Sequence, residues 1–496
     1  MLTEHMILTP VLIPLIGAMI ALLMRRTYRL QAGWSLATIL VSLMVSIWLL
    51  TKVWRSGQPI VSQVGGWTAP FGISLVGDPL SVLFVVMSQF VFATGIVYAM
   101  GSKDSVVRYP MFFPLFLILA TGLTGTFLTG DLFNMYVFAE LIVISGTVLT
   151  AVSDDWHGTE AAYKYYYISL IASFFMLIGI GCLYAAYGTL NMAQLAERIA
   201  IENNRPLLLA GITFLMATFM VKSAVFPFHF WQPDFHAAAP TAVSAMLSSV
   251  VVKLGIYGLL RMTTLLFVGH APMIRGFLVV LGVIGVAFGS FSAVGTHNAK
   301  RMLAYSTLSQ IGFILIGIGW GTPLAVAAAI VFTVNHSFIK SAMLMLAGYL
   351  ASRASIKSAS FEVVSGIGKA LPLAGILFFI GSLALAGIPP TNGFISKLLL
   401  FRSGIGAGQV ETVLLVGLAS VLTLFYSMRA FQRIWWHNPP ADSKVKPGGD
   451  RLLAPILLIG MVVVLGLWGD LLVNLARDTG QWLDNPAGYI QAVLRR

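Results

Sequence analysis

Charge is scarce in this sequence. Asp, Glu, Lys and Arg together make up 10% of its 496 residues, against about a quarter in a soluble domain. That excludes an ordinary water-soluble fold, and the mean hydropathy of +0.89 agrees. Cysteine is nearly absent. Cys182 stands alone in an apolar run, so neither a disulfide framework nor a cysteine-ligated metal or iron–sulfur site can be built. No GxxxxGK[ST], HExxH or CxxC pattern occurs, which removes the obvious signatures of ATP-driven, zinc-protease and dithiol chemistry. No cofactor and no metal is expected. Polar connections are short, and no stretch reads as a separate soluble domain.

What the sequence does have is apolar length. Hydrophobic residues reach 58%, and they fall in runs that are repeatedly long enough to span a bilayer as a helix. Barrel strands would need about 10 alternating residues instead. The fold class is therefore all-α integral membrane protein. About 14 segments are expected to cross, centred near residues 16, 43, 88, 118, 141, 175, 216, 253, 284, 310, 337, 385, 420 and 464. The first, about 7–24, is followed by Arg25, Arg26 and Arg29, so it reads as a spanning helix rather than a cleaved signal peptide. The twelfth is interrupted by 386-AGIPPTNGF-394. Such a break is tolerated at membrane depth only where protein or water satisfies the freed backbone groups.

The formal charge of +12 does not indicate nucleic acid, because the basic residues sit at segment ends, where they orient a membrane protein. Alternating from a cytoplasmic loop after the first segment gathers Lys103, Arg108, Lys300, Arg301, Arg353 and Lys357 on the cytoplasmic side. Fewer basic residues, Arg261 and Arg275 among them, fall on the other. The bias predicts both termini outside.

Four lysines fit no loop. They belong to a set of ionisable residues inside apolar segments: Glu140 in the fifth, Lys222 in the seventh, Lys253 in the eighth, His336 and Lys340 in the eleventh, and Lys397 in the second half of the twelfth. Each costs on the order of 2.5–3.5 kcal/mol at a helix centre on insertion scales, and such residues mark ion pathways. Helical spacing sets Tyr136 and Thr147 beside Glu140, sets Ser249 and Tyr257 beside Lys253, and places His336 and Lys340 on one face. Proton chemistry explains the residue types. Burial weakens a lysine's hold on its proton and a nearby carboxylate restores it, while histidine can relay between such groups. The plainer alternatives are a structural Glu140–Lys222 pair, a Lys222 that snorkels from a helix end, and a hydrogen-bonded core histidine at 336.

Three polar clusters read as ordinary. Asp154, Asp155, His157 and Glu160 are a solvated loop, and 229-HFWQPDFH-236 is a polar cytoplasmic turn rather than a metal site. The Pro/Gly-rich 437-HNPPADSKVKPGGD-450 is a surface linker. A repeat between helices 4–8 and 9–13 has weak support: registering Gly146 on Gly312 sets Glu140 against Ser306.

Four stretches carry a resemblance: 222-KSAVFPFHFWQPDFHAAAPTAVSAMLSSVVVKLGIYGLLR-261, 300-KRMLAYSTLSQIGFILIG-317, 335-NHSFIKSAMLMLAG-348 and 383-LALAGIPPTNGFISK-397. They resemble the antiporter-like subunits of respiratory complex I and their relatives, over nearly the whole chain. Within that family 129-TGDLFNMYVFAELIVISG-146 is most similar to the D branch of the multisubunit Mrp-type sodium/proton antiporters. The resemblance implies 14 transmembrane helices with two inverted five-helix repeats and broken helices 7 and 12. It divides the chain into N-terminal helices (1–107), a first repeat (108–268), a second repeat (269–433) and a linker with a last helix (434–496). By position it makes Glu140 and Lys222 a coupled pair, Lys253 the centre of a proton path and Lys397 its exit. His336 and Lys340 take the connecting place, where the family is polar but variable. The family often has an acidic residue before KRMLAYS, where this chain has 297-HNAK-300.

The expected function is therefore ion translocation in a bacterial inner-membrane antiporter, with the other Mrp subunits, protons, sodium and membrane lipid as partners and no nucleic acid. A proton-pumping subunit of complex I or of a membrane-bound hydrogenase is the alternative within the family. A scaffold whose charges only hold helices together, and a quinone reductase, are the alternatives outside it.

Overall fold

Lipid offers a backbone no hydrogen-bond partners, so long apolar runs fold as helices. In the computed structural model, which describes residues 5–153, 155–439 and 445–494, each of the expected segment centres falls on a helix. The chain begins with α1 (Thr9–Leu23) and α2 (Tyr28–Ser56), then a hairpin of β1 (Ile60–Gln63) and β2 (Ser74–Gly77). Next come α3 (Pro79–Gly101), α4 (Phe112–Leu128), α5 (Leu132–Ala151), α6 (Trp156–Tyr187) and the short α7 (Met192–Ile201). A broken element follows as α8 (Leu208–Lys222) and α9 (Trp231–Ala238). Then come α10 (Thr241–Leu266), α11 (Ala271–Gly295), α12 (Ala299–Trp320) and α13 (Pro323–Arg353). A second broken element is α14 (Pro372–Ala386) and α15 (Asn392–Gly406). The chain ends with α16 (Val410–Trp436), α17 (Leu453–Leu467), α18 (Asp470–Asp484) and α19 (Pro486–Leu494).

Among the described residues ten helices are long and apolar enough to cross a membrane, and the pair α17–α18, bent by 75°, raises this to eleven. The chain is a multi-pass helical membrane protein. Helix starts are capped as physical chemistry requires. Asp78 accepts from Ser81 N at 2.9 Å in a reciprocal capping box ahead of Pro79, and Asp131 accepts from Asn134 N at 2.8 Å. α11 and α12 pack tightly where both lack side chains. A Cβ on Gly282 would meet the Gly312 carbonyl, and one on Gly312 would meet the Gly282 carbonyl, so small residues set that crossing.

α10 and α13 form the middle. α13 is 31 residues long, roughly 46 Å at helical rise, and nearly all of it is buried. Two π-helical turns interrupt α10, at Leu247–Val251 and Met262–Leu266, leaving a regular α-helical stretch from Lys253 to Arg261. The outer helices turn large apolar side chains outward, among them Phe277 and Phe291 of α11 and Leu414 and Leu418 of α16. At one end of the bundle lie the hairpin, whose strands pair antiparallel from Ile60 opposite Gly77 to Gln63 opposite Ser74, and the C-terminal helices. At the other, two cavities of about 810 and 680 Å3 share His157, Ala237, Ala238 and Asn298 in their walls and form a vestibule.

Four expectations need correction. The stretch 229–236 is the start of a second half-helix rather than a turn: Trp231, Gln232, Phe235 and His236 are buried in α9. The last apolar run ends at Leu467 and folds over into amphipathic α18. Arg261 is no loop residue. It is 2% exposed, because Asp78 neutralises it inside the protein. Residues 440–444 lie outside those described, but the rest of the supposed linker is tied down. Asp450 accepts from Tyr98 OH at 2.6 Å, Ser102 Oγ at 3.0 Å and Lys103 N at 2.8 Å, and Arg353 donates to the Pro447 carbonyl at 2.7 Å.

Candidate functional site

Lys253 opens the regular stretch of α10, two positions after the π-turn ends at Val251. π-turns recur at functional sites because they displace side chains and leave carbonyls open. Here Ser337 Oγ of α13 donates to the Ser249 carbonyl of that turn at 2.8 Å. The adjoining residue, His336, presents Nδ1 to Lys253 Nζ at 2.9 Å, and both side chains are fully enclosed. A contact between two nitrogens needs one lone pair. With Lys253 as ammonium, Nδ1 accepts and the neutral ring carries its proton on Nε2. Nε2 has no partner among the described residues.

His336 also lines a small cavity, on the order of one water in size, whose walls include Gln310 of α12, Ser396 and Lys397. Gln310 Nε2 is also buried and unpaired. Lys397 reaches the same cavity from α15, and its Nζ donates to the Ala386 carbonyl at 2.7 Å, 5.3 Å from the Phe313 ring centre. The break supplies that carbonyl. α14 ends at Ala386, Gly387 turns the chain at a φ of +81°, and the carbonyls of the last turn lose their helical partners. Asn335 of α13 ties down the start of the second half, α15, by donating to the Asn392 carbonyl at 3.1 Å and Ser396 Oγ at 2.8 Å.

Lys340, one turn from His336, points the other way. Its Nζ donates to the Leu303 carbonyl at 2.8 Å, near the vestibule end of α12. Between it and the vestibule lies His236, fully buried, with Nδ1 3.0 Å from Ser244 Oγ and Nε2 unpaired. The order from the vestibule inward is thus His236, Lys340, His336 with Lys253, then Gln310 and Lys397.

Glu140 and Lys222 form a spur beside this row. Lys222 ends α8 without snorkelling: its Nζ is buried and unpaired, beside a small cavity walled by Tyr165, Ser169, Trp231, Val251 and Leu254. Glu140 is within electrostatic reach of it but makes no direct ion pair with it. Its carboxylate instead accepts from Ser173 Oγ of α6, one turn from Ser169. Of the neighbours expected from spacing alone, Tyr136 is within electrostatic reach of Glu140, whereas Thr147 Oγ1 has no hydrogen-bond partner among the described residues. Glu140 is half-buried, on a face where Phe133, Val137 and Ile144 are exposed.

The row coincides with a known sequence pattern. Residues 129–423 match the model of the transmembrane family described as NADH:quinone oxidoreductase/Mrp antiporter. The chain belongs to that family. All six candidates lie inside the matched stretch, whereas Asp78, Asp450 and Tyr489 lie outside it. The chain is 31% identical to the D-type subunit of the Na(+)/H(+) antiporter of Bacillus subtilis (strain 168), covering 99% of this chain and 100% of the relative. It is 34% identical to the N-type subunit of the NADH-quinone oxidoreductase of Desulforudis audaxviator, over 95% and 98%. Its fold is similar to a chain in the solved Mrp complex from Dietzia sp. DQ12-45-1b, with a TM-score of 0.91, 26% identity and full coverage of both chains.

Within this family member, sequence reasoning passed over His236, Gln310 and Ser173. A buried serine or glutamine carries no charge to betray it, and His236 was absorbed into a supposed turn. The vestibule residues explain the clusters set aside as ordinary. Asp155 caps α6, and Asp234 joins Lys164 at 2.7 Å and Arg301 at 2.9 Å; Asp154 lies outside the described residues. No group of His, Cys, Asp or Glu suited to a metal occurs among the described residues.

Proposed function

We propose that this chain is the D-type, ion-translocating subunit of a multisubunit monovalent cation/proton antiporter and that protons cross it along the buried row. The observation that carries the reading is the position of His336, joined to Lys253 through one ring nitrogen and lining the cavity that Lys397 also lines. A proton taken at Nδ1 and released from Nε2 passes along the row without the ring leaving its place. Desolvated ammonium groups hold or yield a proton according to the charge beside them, so the Glu140–Lys222 spur sets the state of the row by moving charge toward Lys253 or away from it.

The expected arrangement is fourteen crossings: N-terminal helices over 1–107, inverted repeats over 108–268 and 269–433, and a final segment over 434–496. The paired breaks α8/α9 and α14/α15 stand at corresponding places in the two repeats, as binding sites of repeat-built transporters do. Both termini outside would put the vestibule on the cytoplasmic face of a bacterial inner membrane, protons would move inward, and sodium would be exported by the complex. The partners are the other Mrp subunits. Glu140 supports this, because a half-exposed carboxylate on an apolar face is costly in lipid and is relieved by a neighbouring subunit.

Sodium-dependent proton exchange by vesicles carrying the full complex tests the reading. Lys253→Ala and Lys397→Ala should each abolish exchange with assembly intact, and exchange at the native rate in both would leave these residues as scaffold. The likeness to a complex I subunit supports a second reading, a redox-driven proton pump. The purified native assembly separates the two: flavin or iron–sulfur absorbance favours the pump, and a colourless complex of small antiporter subunits favours exchange.

A further inference from the structure

One cluster of buried charge lies outside the row. The regular stretch of α10 begins at Lys253 and ends at Arg261, with Tyr257 midway. Four-residue spacing puts the three on one side of the helix, roughly 12 Å from first to last at helical rise. The Arg261 guanidinium grips Asp78 in a two-pronged pair, Nη1 to Oδ2 and Nη2 to Oδ1, both at 2.7 Å. Its Nε and Nη2 also donate to Tyr257 OH at 3.1 and 3.0 Å. The rings of Tyr257 and Tyr489 cover it at 5.0 and 5.1 Å. Tyr489 arrives on α19, and that helix is held by Gln63 Nε2 donating to the Val493 carbonyl at 3.1 Å.

Three elements distant in sequence therefore meet at one point: the start of α3, the end of regular α10 and the C-terminal helix. Asp78, Tyr257, Arg261 and Tyr489 are 0, 1, 2 and 3% exposed, so water does not reach the cluster. Arg261 and Tyr257 leave a passing proton no route through the centre of the cluster. A relay needs a group that takes a proton on one side and yields one on the other. Arg261 does not yield one. Tyr257 OH already donates to the Phe127 carbonyl at 2.7 Å and accepts twice from Arg261, which exhausts its hydrogen and its lone pairs. Both Asp78 oxygens accept from Arg261, and Oδ1 accepts from Ser81 N as well.

We infer that Asp78, Arg261, Tyr257 and Tyr489 form a proton-tight plug that closes the hairpin end of the helix carrying Lys253, so that a proton on Lys253 leaves only through His336. The inference rests on the proposed path through Lys253. Stability alone is a poor reason for such a cluster, since buried ion pairs are often replaced by apolar residues without loss. A closed route, by contrast, is what an exchanger requires: any proton slipping past the cluster crosses the membrane without sodium.

The test is passive proton leak. Vesicles carrying the full complex receive a pH gradient in sodium-free medium with the membrane potential collapsed. The native complex should hold the gradient, and Asp78→Asn and Tyr489→Ala should dissipate it several-fold faster. Tyr489→Ala keeps the ion pair, so it decides the matter if Asp78→Asn fails to assemble. Adding Lys253→Ala to Tyr489→Ala should restore tightness. Assembled Tyr489→Ala vesicles as tight as native would overturn the plug, and so would a leak undiminished by Lys253→Ala. Failure of the path itself shows separately, as native sodium-dependent exchange by Lys253→Ala alone.

Discussion

Lys253 Nζ and His336 Nδ1 meet at 2.9 Å, while Lys340, on the same face of α13 as the histidine, is held away by the Leu303 carbonyl. The histidine thus serves one lysine at rest and has its second nitrogen free. If it relays protons, His336→Ala should slow sodium-dependent exchange by on the order of 100-fold, the lower range for losing a positioned proton-transfer group. Native gels should show the complex assembled. An unchanged rate would make His336 a packing residue.

Gln310 is one of the polar walls of the cavity that His336, Ser396 and Lys397 also line. Gln310→Leu lines that cavity with carbon and should exclude the bridging water, since apolar cavities of this size stay dry. Exchange should fall several-fold with thermal stability unchanged or raised. Equal rates in variant and native vesicles would mean the proton does not pass there.

Ser173 donates to Glu140, and no direct pair links Glu140 to Lys222. Ser173→Ala should therefore weaken exchange less than Glu140→Ala does. In the double variant it should add nothing, as residues acting through one another are not additive. Fully additive losses would separate the serine from the carboxylate's role.

Asp450 gathers bonds from Tyr98, Ser102 and Lys103. Asp450→Ala takes from the buried Tyr98 hydroxyl its carboxylate acceptor, and losing a hydrogen bond to a charged group costs about 1.5–3 kcal/mol. The detergent-solubilised complex should melt at a lower temperature while the specific exchange rate per assembled complex holds. An unaltered melting curve would show that the strap contributes nothing to stability.

The parts of this protein that were legible beforehand are those that physics writes in many residues at once. Helices at the long apolar runs follow from the need to pair every backbone group, and the break before Lys397 is announced by two prolines and a glycine. The charged members of the row stand out because charge in an apolar run is costly. What stayed hidden depends on one residue or on none. The π-turn before Lys253 is a shift in backbone register with no composition of its own. The bend at Leu467 separates an apolar helix from an amphipathic one, and the two are long and apolar enough to cross only when taken together. Arg261 read as a helix-end anchor because its partner, Asp78, lies 183 positions away. Whether Glu140 touches Lys222 was open in the sequence, because an uncharged serine such as Ser173, which takes the carboxylate instead, gives no signal there.

Lys397 gives the molecule a chemical handle. The residue is 4% exposed and its amine is capped by the Ala386 carbonyl, so water-soluble acylating reagents should pass it by while they modify the exposed Lys357. If exchange requires the amine to swing off that carbonyl, acylation at Lys397 should rise when sodium and proton gradients are applied together and stay low when either is missing. Peptide mass spectrometry would then count turnover by covalent footprint. A lysine equally inert under both conditions would mean that it never leaves its carbonyl during the cycle.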